Sequence, residues 1–137
     1  MGLDMYLSGE KYLKNGVRGD EERIEEDGFP LMRKIFELGY WRKNADLHGF
    51  IVKNFADDGI DDCKEIGLGP SDLKAIIKAV KDTELPHTEG FFFRYDMTPE
   101  EVDHQRQEDL FILKKALAWA EYKEDGVWRS ITYQASW

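Results

Sequence analysis

A short segment in the first half of the chain collects the side chains best suited to binding an anion. The run Tyr40-Trp41-Arg42-Lys43 is followed by His48 in the next predicted helix. An aromatic plane, a guanidinium and an imidazole near a helix N-terminus can hold a small anion or a nucleotide, because free amides and the helix dipole favour negative charge there. The alternative is that Tyr40 and Trp41 end a core strand while Arg42 and Lys43 are solvated.

A second polar segment could supply the other wall of that pocket. The turn Leu85-Pro86-His87-Thr88-Glu89-Gly90 places His87 and Thr88 directly before a predicted buried strand. Loops held by a rigid scaffold often carry binding residues. The alternative is an ordinary turn in which the threonine hydroxyl bonds to its own backbone.

Catalytic groups are harder to assemble from this sequence. Cys63 with His48 or His87 could form a thiol and base pair, although an inert buried cysteine is more common. The sequence contains no Walker loop, dinucleotide fingerprint, nucleophile elbow or zinc-protease helix. We therefore expect a protein that binds rather than catalyses. The alternative is a small enzyme that acts on an anionic substrate with a histidine or the cysteine as base or nucleophile.

Four acidic residues, Asp57, Asp58, Asp61 and Asp62, could bind a hard cation. Their spacing does not match an EF-hand, and Asp57-Asp58-Gly59 is equally typical of a turn. One cysteine and 3 scattered histidines show no zinc-ligand spacing. The sequence therefore predicts no metal and no cofactor.

Composition limits the class of partner. Of 137 residues, 19 are Lys or Arg and 28 are Asp or Glu, so the formal charge is 19 − 28 = −9. Nucleic acid would be repelled, whereas a basic protein would be attracted. An acidic surface that mimics DNA stays open as an interpretation, and the alternative is that the charge serves solubility.

Several features predict a cytoplasmic protein without membrane contact. Apolar runs fall short of the roughly 18 residues that span a bilayer. Met1-Gly2-Leu3-Asp4 lacks the basic stretch of a signal peptide. The single cysteine cannot form an internal disulfide, which is typical of a reducing compartment.

The first half of the chain predicts two strands and a loop. Period-two alternation over residues 3–7 predicts a strand that ends at Ser8-Gly9. Glycines and acidic residues predict an exposed, mobile loop over about 14–29. Apolar β-formers predict a central strand over 31–41, in which Gly39 marks a bulge or a close backbone approach.

Three helices are predicted from caps and spacing. Asn44 is the expected cap of a helix through Asn54, and Ser71 that of a second helix. Thr98-Pro99-Glu100-Glu101 is a capping box that begins a long third helix.

Further strands are predicted over 62–68, 91–95 and 127–133. The chain therefore predicts a single α+β domain, 1–137, with one mixed or antiparallel sheet of about five strands covered by three helices. Trp128, Tyr133 and Trp137 near the C-terminus could be core residues or an exposed docking edge. Trp137 is a candidate contact with a second copy in a homodimer or with another partner.

Motifs along most of the chain, taken together, resemble a family of small bacteriophage and bacterial proteins. They are Met1-Gly2-Leu3-Asp4-Met5-Tyr6-Leu7, Glu37-Leu38-Gly39-Tyr40-Trp41-Arg42-Lys43, Leu47-His48-Gly49, Asp61-Asp62-Cys63, the 85–93 segment and Ser136-Trp137. The resemblance implies a phage accessory protein and brings no activity, cofactor or site. We expect such a protein to capture a host protein or a small anionic, nucleotide-like ligand and so to antagonise a host defence.

Overall fold

The structure is a computed structural model, and it describes residues 2–13, 25–82 and 98–137. All of its described strands pair in antiparallel fashion. Its strands are β1 (Asp4–Leu13), β2 (Glu25–Glu26), β3 (Phe29–Pro30), β4 (Arg33–Arg42), β5 (Ile66–Leu68) and β6 (Val127–Ser136). The main sheet has the order β4-β1-β6-β5, with every neighbouring pair antiparallel. The strands β2 and β3 form a separate small hairpin.

Three helices accompany the sheet: α1 (Ala45–Phe55), α2 (Pro70–Lys81) and α3 (Pro99–Glu121). One turn of 3₁₀ helix covers Asp57–Gly59. None of the described helices combines the length and the apolar character needed to cross a membrane. The predicted α+β class with three helices is confirmed, and the main sheet has four described strands where about five were expected.

Some predictions concern residues outside the described ranges. These are the strand over 91–95, the turn with His87 and Thr88, and residues 14–24 of the predicted loop. The end of that loop is described, and it forms the β2–β3 hairpin around Asp27 and Gly28, both with positive φ.

The sheet buries one face against the helices. Leu3, Met5 and Leu7 alternate into the core as predicted. They meet helix residues that are almost fully buried, namely Leu47, Ile51, Leu73, Ile76 and Leu113. Burial of this apolar surface is the main stabilising contribution to the fold.

Three strand predictions differ in detail from the described structure, and the one over 62–68 is formed only by Ile66–Leu68. β1 does not end at Ser8-Gly9 but continues to Leu13, because Gly9 lies beneath the Trp119 ring and lets the strand pass under α3. Among the described strands β4 lies at an edge of the sheet rather than in its centre, since it pairs there only with β1. The expectation at Gly39 is confirmed: the register of β4 shifts beside it, and the Ile112 side chain of α3 approaches its backbone closely.

Helix caps also differ in part from expectation. Thr98 caps α3 as predicted, with its hydroxyl accepting from the Glu101 amide. Asn44 precedes α1 but makes no side-chain cap, because its amide is used in a long-range contact. α2 begins after Gly69 rather than Ser71, and the Asp72 carboxylate accepts the Gly69 N–H at 2.8 Å.

Candidate functional site

The predicted anion-binding residues are divided between the two faces of β4. Trp41 is buried in the core, and its indole donates to Asp109 at 2.9 Å. Tyr40 and Arg42 point to the opposite face, where both contact Asp4. The structure therefore does not bring Trp41 and Arg42 together around one ligand.

Lys43 lies just beyond the end of β4 in the left-handed region, with a φ of 59°. Its side chain and that of Arg42 both approach Gly2, so these two basic residues lie near the beginning of β1. Arg42 Nε is 3.9 Å from Asp4 Oδ1, which supplies the nearby negative charge.

His48 is a buried connector between elements rather than an open imidazole. It is 2% exposed, and its Nε2 lies 2.9 Å from Asp61 Oδ2. Because a carboxylate only accepts, Nε2 donates, and in the neutral imidazole Nδ1 then accepts from the Tyr133 hydroxyl at 2.6 Å. Burial raises the pKa of Tyr133 above its ordinary range, so this hydroxyl keeps its proton. Asp61 also accepts from the Trp137 indole at 3.2 Å.

The cysteine–histidine pair and the cation site, which the sequence offered only as alternatives, have no geometric support in the described part of the chain. Cys63 is half-buried, and its carbonyl accepts from Gln134. Both His48 nitrogens are engaged by Tyr133 and Asp61. In residues 2–13, 25–82 and 98–137, no group of three or more His, Cys, Asp or Glu side chains could hold a metal ion.

A second buried polar group was not predicted. Asp109 of α3 is 2% exposed and accepts from Trp41, from Asn44 at 3.1 Å and from Gln105 at 2.8 Å. Burial raises the pKa of its carboxyl group, and the three donors oppose that shift. One sequence feature could have indicated this burial: Asp109 stands four residues before Leu113, so both lie on the apolar side of the helix.

The most unusual surface is the face of the sheet opposite the helices, which we call the open face. Neighbouring strands place side chains in rows across it, because directly paired residues share a face. One row is Tyr40–Tyr6–Gln134, and another is Arg33–Tyr12–Trp128. No described helix or strand packs over these rows.

The open face carries five large apolar or aromatic side chains that are at least one third exposed. They are Tyr6, Tyr12, Ile35, Tyr40 and Trp128. Trp128 is 80% exposed and Ile35 is 64% exposed. The solvated side of an antiparallel sheet is ordinarily polar, so this composition is typical of a binding surface.

Charged groups on the open face are held in pairs by the tyrosines and arginines. The Tyr40 hydroxyl donates to Asp4 at 2.5 Å, and the Tyr12 hydroxyl donates to Glu10. Each hydrogen bond raises the pKa of its tyrosine, so both phenols remain protonated donors near neutral pH. Arg33 lies 3.3 Å from Glu10.

The alternation along β1 predicts its buried side, and its outward side carries two tyrosines. Tyr6 and Tyr12 were visible at even positions along the same strand. Ile35 and Tyr40 could not be assigned to one face by counting, because they are five residues apart and the register shift lies between them.

Comparison with known proteins finds no matching family model, no matching curated protein and no matching solved structure.

Proposed function

We propose that this chain is an accessory binding protein that captures another protein through the open face of its sheet. The single observation that carries the proposal is the exposed set of tyrosines, isoleucine and tryptophan on β1, β4 and β6. Tyrosine and tryptophan are the residues most often found at the energetic centres of protein interfaces. The resemblance to small phage proteins makes a bacterial host protein the expected partner.

The partner should present a basic surface. The formal charge of −9 attracts cationic proteins over long range and repels nucleic acid. On the open face itself, Arg33 and Arg42 lie beside the carboxylates of Glu10 and Asp4. Contact there would be made mainly by the aromatic side chains, while the charge of the whole molecule guides the approach.

The same geometry favours protein capture over the two alternatives, a small anionic ligand and an enzyme with a histidine base. A small anionic ligand would have to compete with Asp4 for Arg42, without the indole of Trp41, which is turned into the core. A histidine base would have to leave Tyr133 and Asp61, which already engage both nitrogens of the buried His48. Capture of a protein needs none of these rearrangements.

The test compares exposed apolar side chains on opposite sides of the molecule. Trp128→Ser together with Ile35→Ser removes apolar surface from the open face, and Phe111→Ser removes a 69% exposed ring from α3 on the helical side. Tagged wild type and both variants are used to capture proteins from bacterial lysate with quantitative mass spectrometry. The captured protein is then purified and its affinity measured by calorimetry.

We expect the captured protein to be basic and to bind the wild type and Phe111→Ser with equal affinity. Trp128→Ser with Ile35→Ser should weaken this binding at least about tenfold, roughly 1.4 kcal/mol. Equal loss with Phe111→Ser, or full binding by the open-face variant, would contradict the proposal. A thermal shift with nucleotides or phosphate that Arg42→Ala abolishes would favour the anionic-ligand alternative instead.

A further inference from the structure

The outer edge of β5 is a second surface with features of a docking site. Among the described strands, β5 pairs only with β6, so its other edge carries backbone groups without a strand partner. Gly67 at its centre is exposed. Such an edge can accept an extended peptide as an additional strand.

A surface cavity of about 400 Å³ is lined in part by Ile66 and Gly67 of β5. Phe55, Ile60 and Ile66 supply apolar lining. Four carboxylates also line it, from Asp57, Asp58, Asp62 and Glu65. The cation in the lining is Lys64, which lies 3.4 Å from Asp62. An apolar surface ringed by excess negative charge complements the aliphatic stem and cationic head of lysine or arginine.

Two other occupants fit this surface less well. A metal ion needs several ligands gathered at one point, and no such group of three exists in the described ranges. A second copy at this edge would bring another cavity lined by four carboxylates and one lysine to the same surface, so like-charge repulsion opposes it.

We propose that the β5 edge binds an extended segment of another protein as an added strand, with a lysine or arginine side chain in the adjoining acidic cavity. Backbone hydrogen bonds to β5 would supply affinity for any extended chain. The carboxylates would supply the selection for a cationic side chain. This inference does not use the aromatic residues of the open face, although Gly67, which pairs with Thr132, also lies on that face.

Peptide titrations followed by amide NMR test both parts. The first probe is a blocked seven-residue peptide of valine and threonine around a central arginine. The second replaces arginine by norleucine, and the third keeps arginine but carries backbone N-methyl groups. We expect the first peptide to shift the amides of Ile66, Gly67 and Leu68, and the other two to bind at least about tenfold more weakly.

Matched variants separate the cavity from the charge of the whole molecule. Asp58→Asn with Glu65→Gln removes two lining carboxylates, and asparagine tolerates the left-handed backbone of Asp58, whose φ is 54°. Glu26→Gln with Glu100→Gln removes two exposed carboxylates elsewhere. We expect about tenfold weaker binding of the arginine peptide for the first pair and less than a twofold change for the control pair.

Each other outcome would overturn the proposal. Binding that is absent, equal for the norleucine or N-methylated peptides, or weakened equally by both pairs of variants would exclude a specific cationic strand. Amide shifts confined to the open face would assign the peptide to that surface instead. A concentration-dependent dimer in light scattering, with the 66–68 amides shifting without peptide, would identify a second copy as the occupant.

Discussion

Asp109 and His48 each join a helix to the sheet through hydrogen bonds that are buried from water. Asp109 of α3 receives the Trp41 indole of β4, and His48 of α1 binds the Tyr133 hydroxyl of β6. A buried polar group is costly unless it is satisfied, so these contacts favour one placement of each helix over others. Two side chains first considered for a ligand site, Trp41 and His48, thus fix the architecture.

The buried carboxyl of Asp109 should make stability depend on pH. Burial raises its folded-state pKa above the unfolded value of about 3.9. Its contribution to stability is therefore complete below the unfolded pKa and is lost as pH rises through the folded pKa. In Asp109→Asn that contribution is absent, so the unfolding free energy of the variant minus that of wild type should rise with pH across this window.

Urea unfolding at a series of pH values measures this difference, with a slope of up to about 1.4 kcal/mol per pH unit. Only the slope is predicted, since the introduced side-chain amide would also place a donor near the amide of Asn44. Glu100→Gln, at an exposed position in the first turn of α3, is the control and should give a flatter difference. Parallel stability curves for wild type and Asp109→Asn would show that the carboxyl is not perturbed by burial.

Local sequence patterns predict some of these features and not others. The capping box at Thr98 and the alternation of Leu3, Met5 and Leu7 were predictable, because each depends on neighbours within a few positions. The contact between Trp41 and Asp109 joins residues 68 apart. No local pattern specifies such a partner, so the sequence alone does not distinguish a buried Trp41 from one that lines a ligand pocket.

At the scale of elements, close approach between α3 and the sheet depends on small residues in the strands. Gly9 of β1 lies directly under the Trp119 ring, which also packs edge-on against Phe36. The Arg129 guanidinium lies 4.8 Å from the Trp119 ring centre. Trp119 is thereby held by several elements and has little freedom to move away from the strand.

Gly9→Ala should destabilise the protein because the new methyl group would lie 2.7 Å from two carbon atoms of the Trp119 ring. Overpacking of this kind costs about 1 to 3 kcal/mol of unfolding free energy. Gly67→Ala is the matched control in a strand, because a Cβ there meets no atom within 4 Å. It should leave stability unchanged or raise it by up to about 1 kcal/mol.

Chemical denaturation of the two variants measures both values under the same conditions. Equal stability of Gly9→Ala and wild type would mean that α3 can move away from β1 without cost. The register shift in β4 reflects the same requirement for close packing, since Gly39 lies beside it under Ile112.

At the scale of the whole molecule, the helices cover one side of the sheet and leave aromatic side chains on the other. Carboxylates are concentrated elsewhere, along the 57–65 segment and in the first half of α3. Apolar contact and electrostatic attraction are therefore carried by different parts of the surface. This separation predicts different effects of salt on the two steps of binding.

For the basic partner that the open face is proposed to bind, association should be sensitive to salt and dissociation should not. Raising sodium chloride from about 50 to about 500 mM shortens the screening length, so the association rate constant should fall at least about tenfold. The dissociation rate constant should change less than about twofold, because aromatic contacts hold the complex. Surface plasmon resonance measures both rate constants. At a fixed salt concentration, Trp128→Ser with Ile35→Ser should raise mainly the dissociation rate constant. A salt effect carried mainly by dissociation in wild type would place the charged groups inside the interface and contradict the open face as the docking surface.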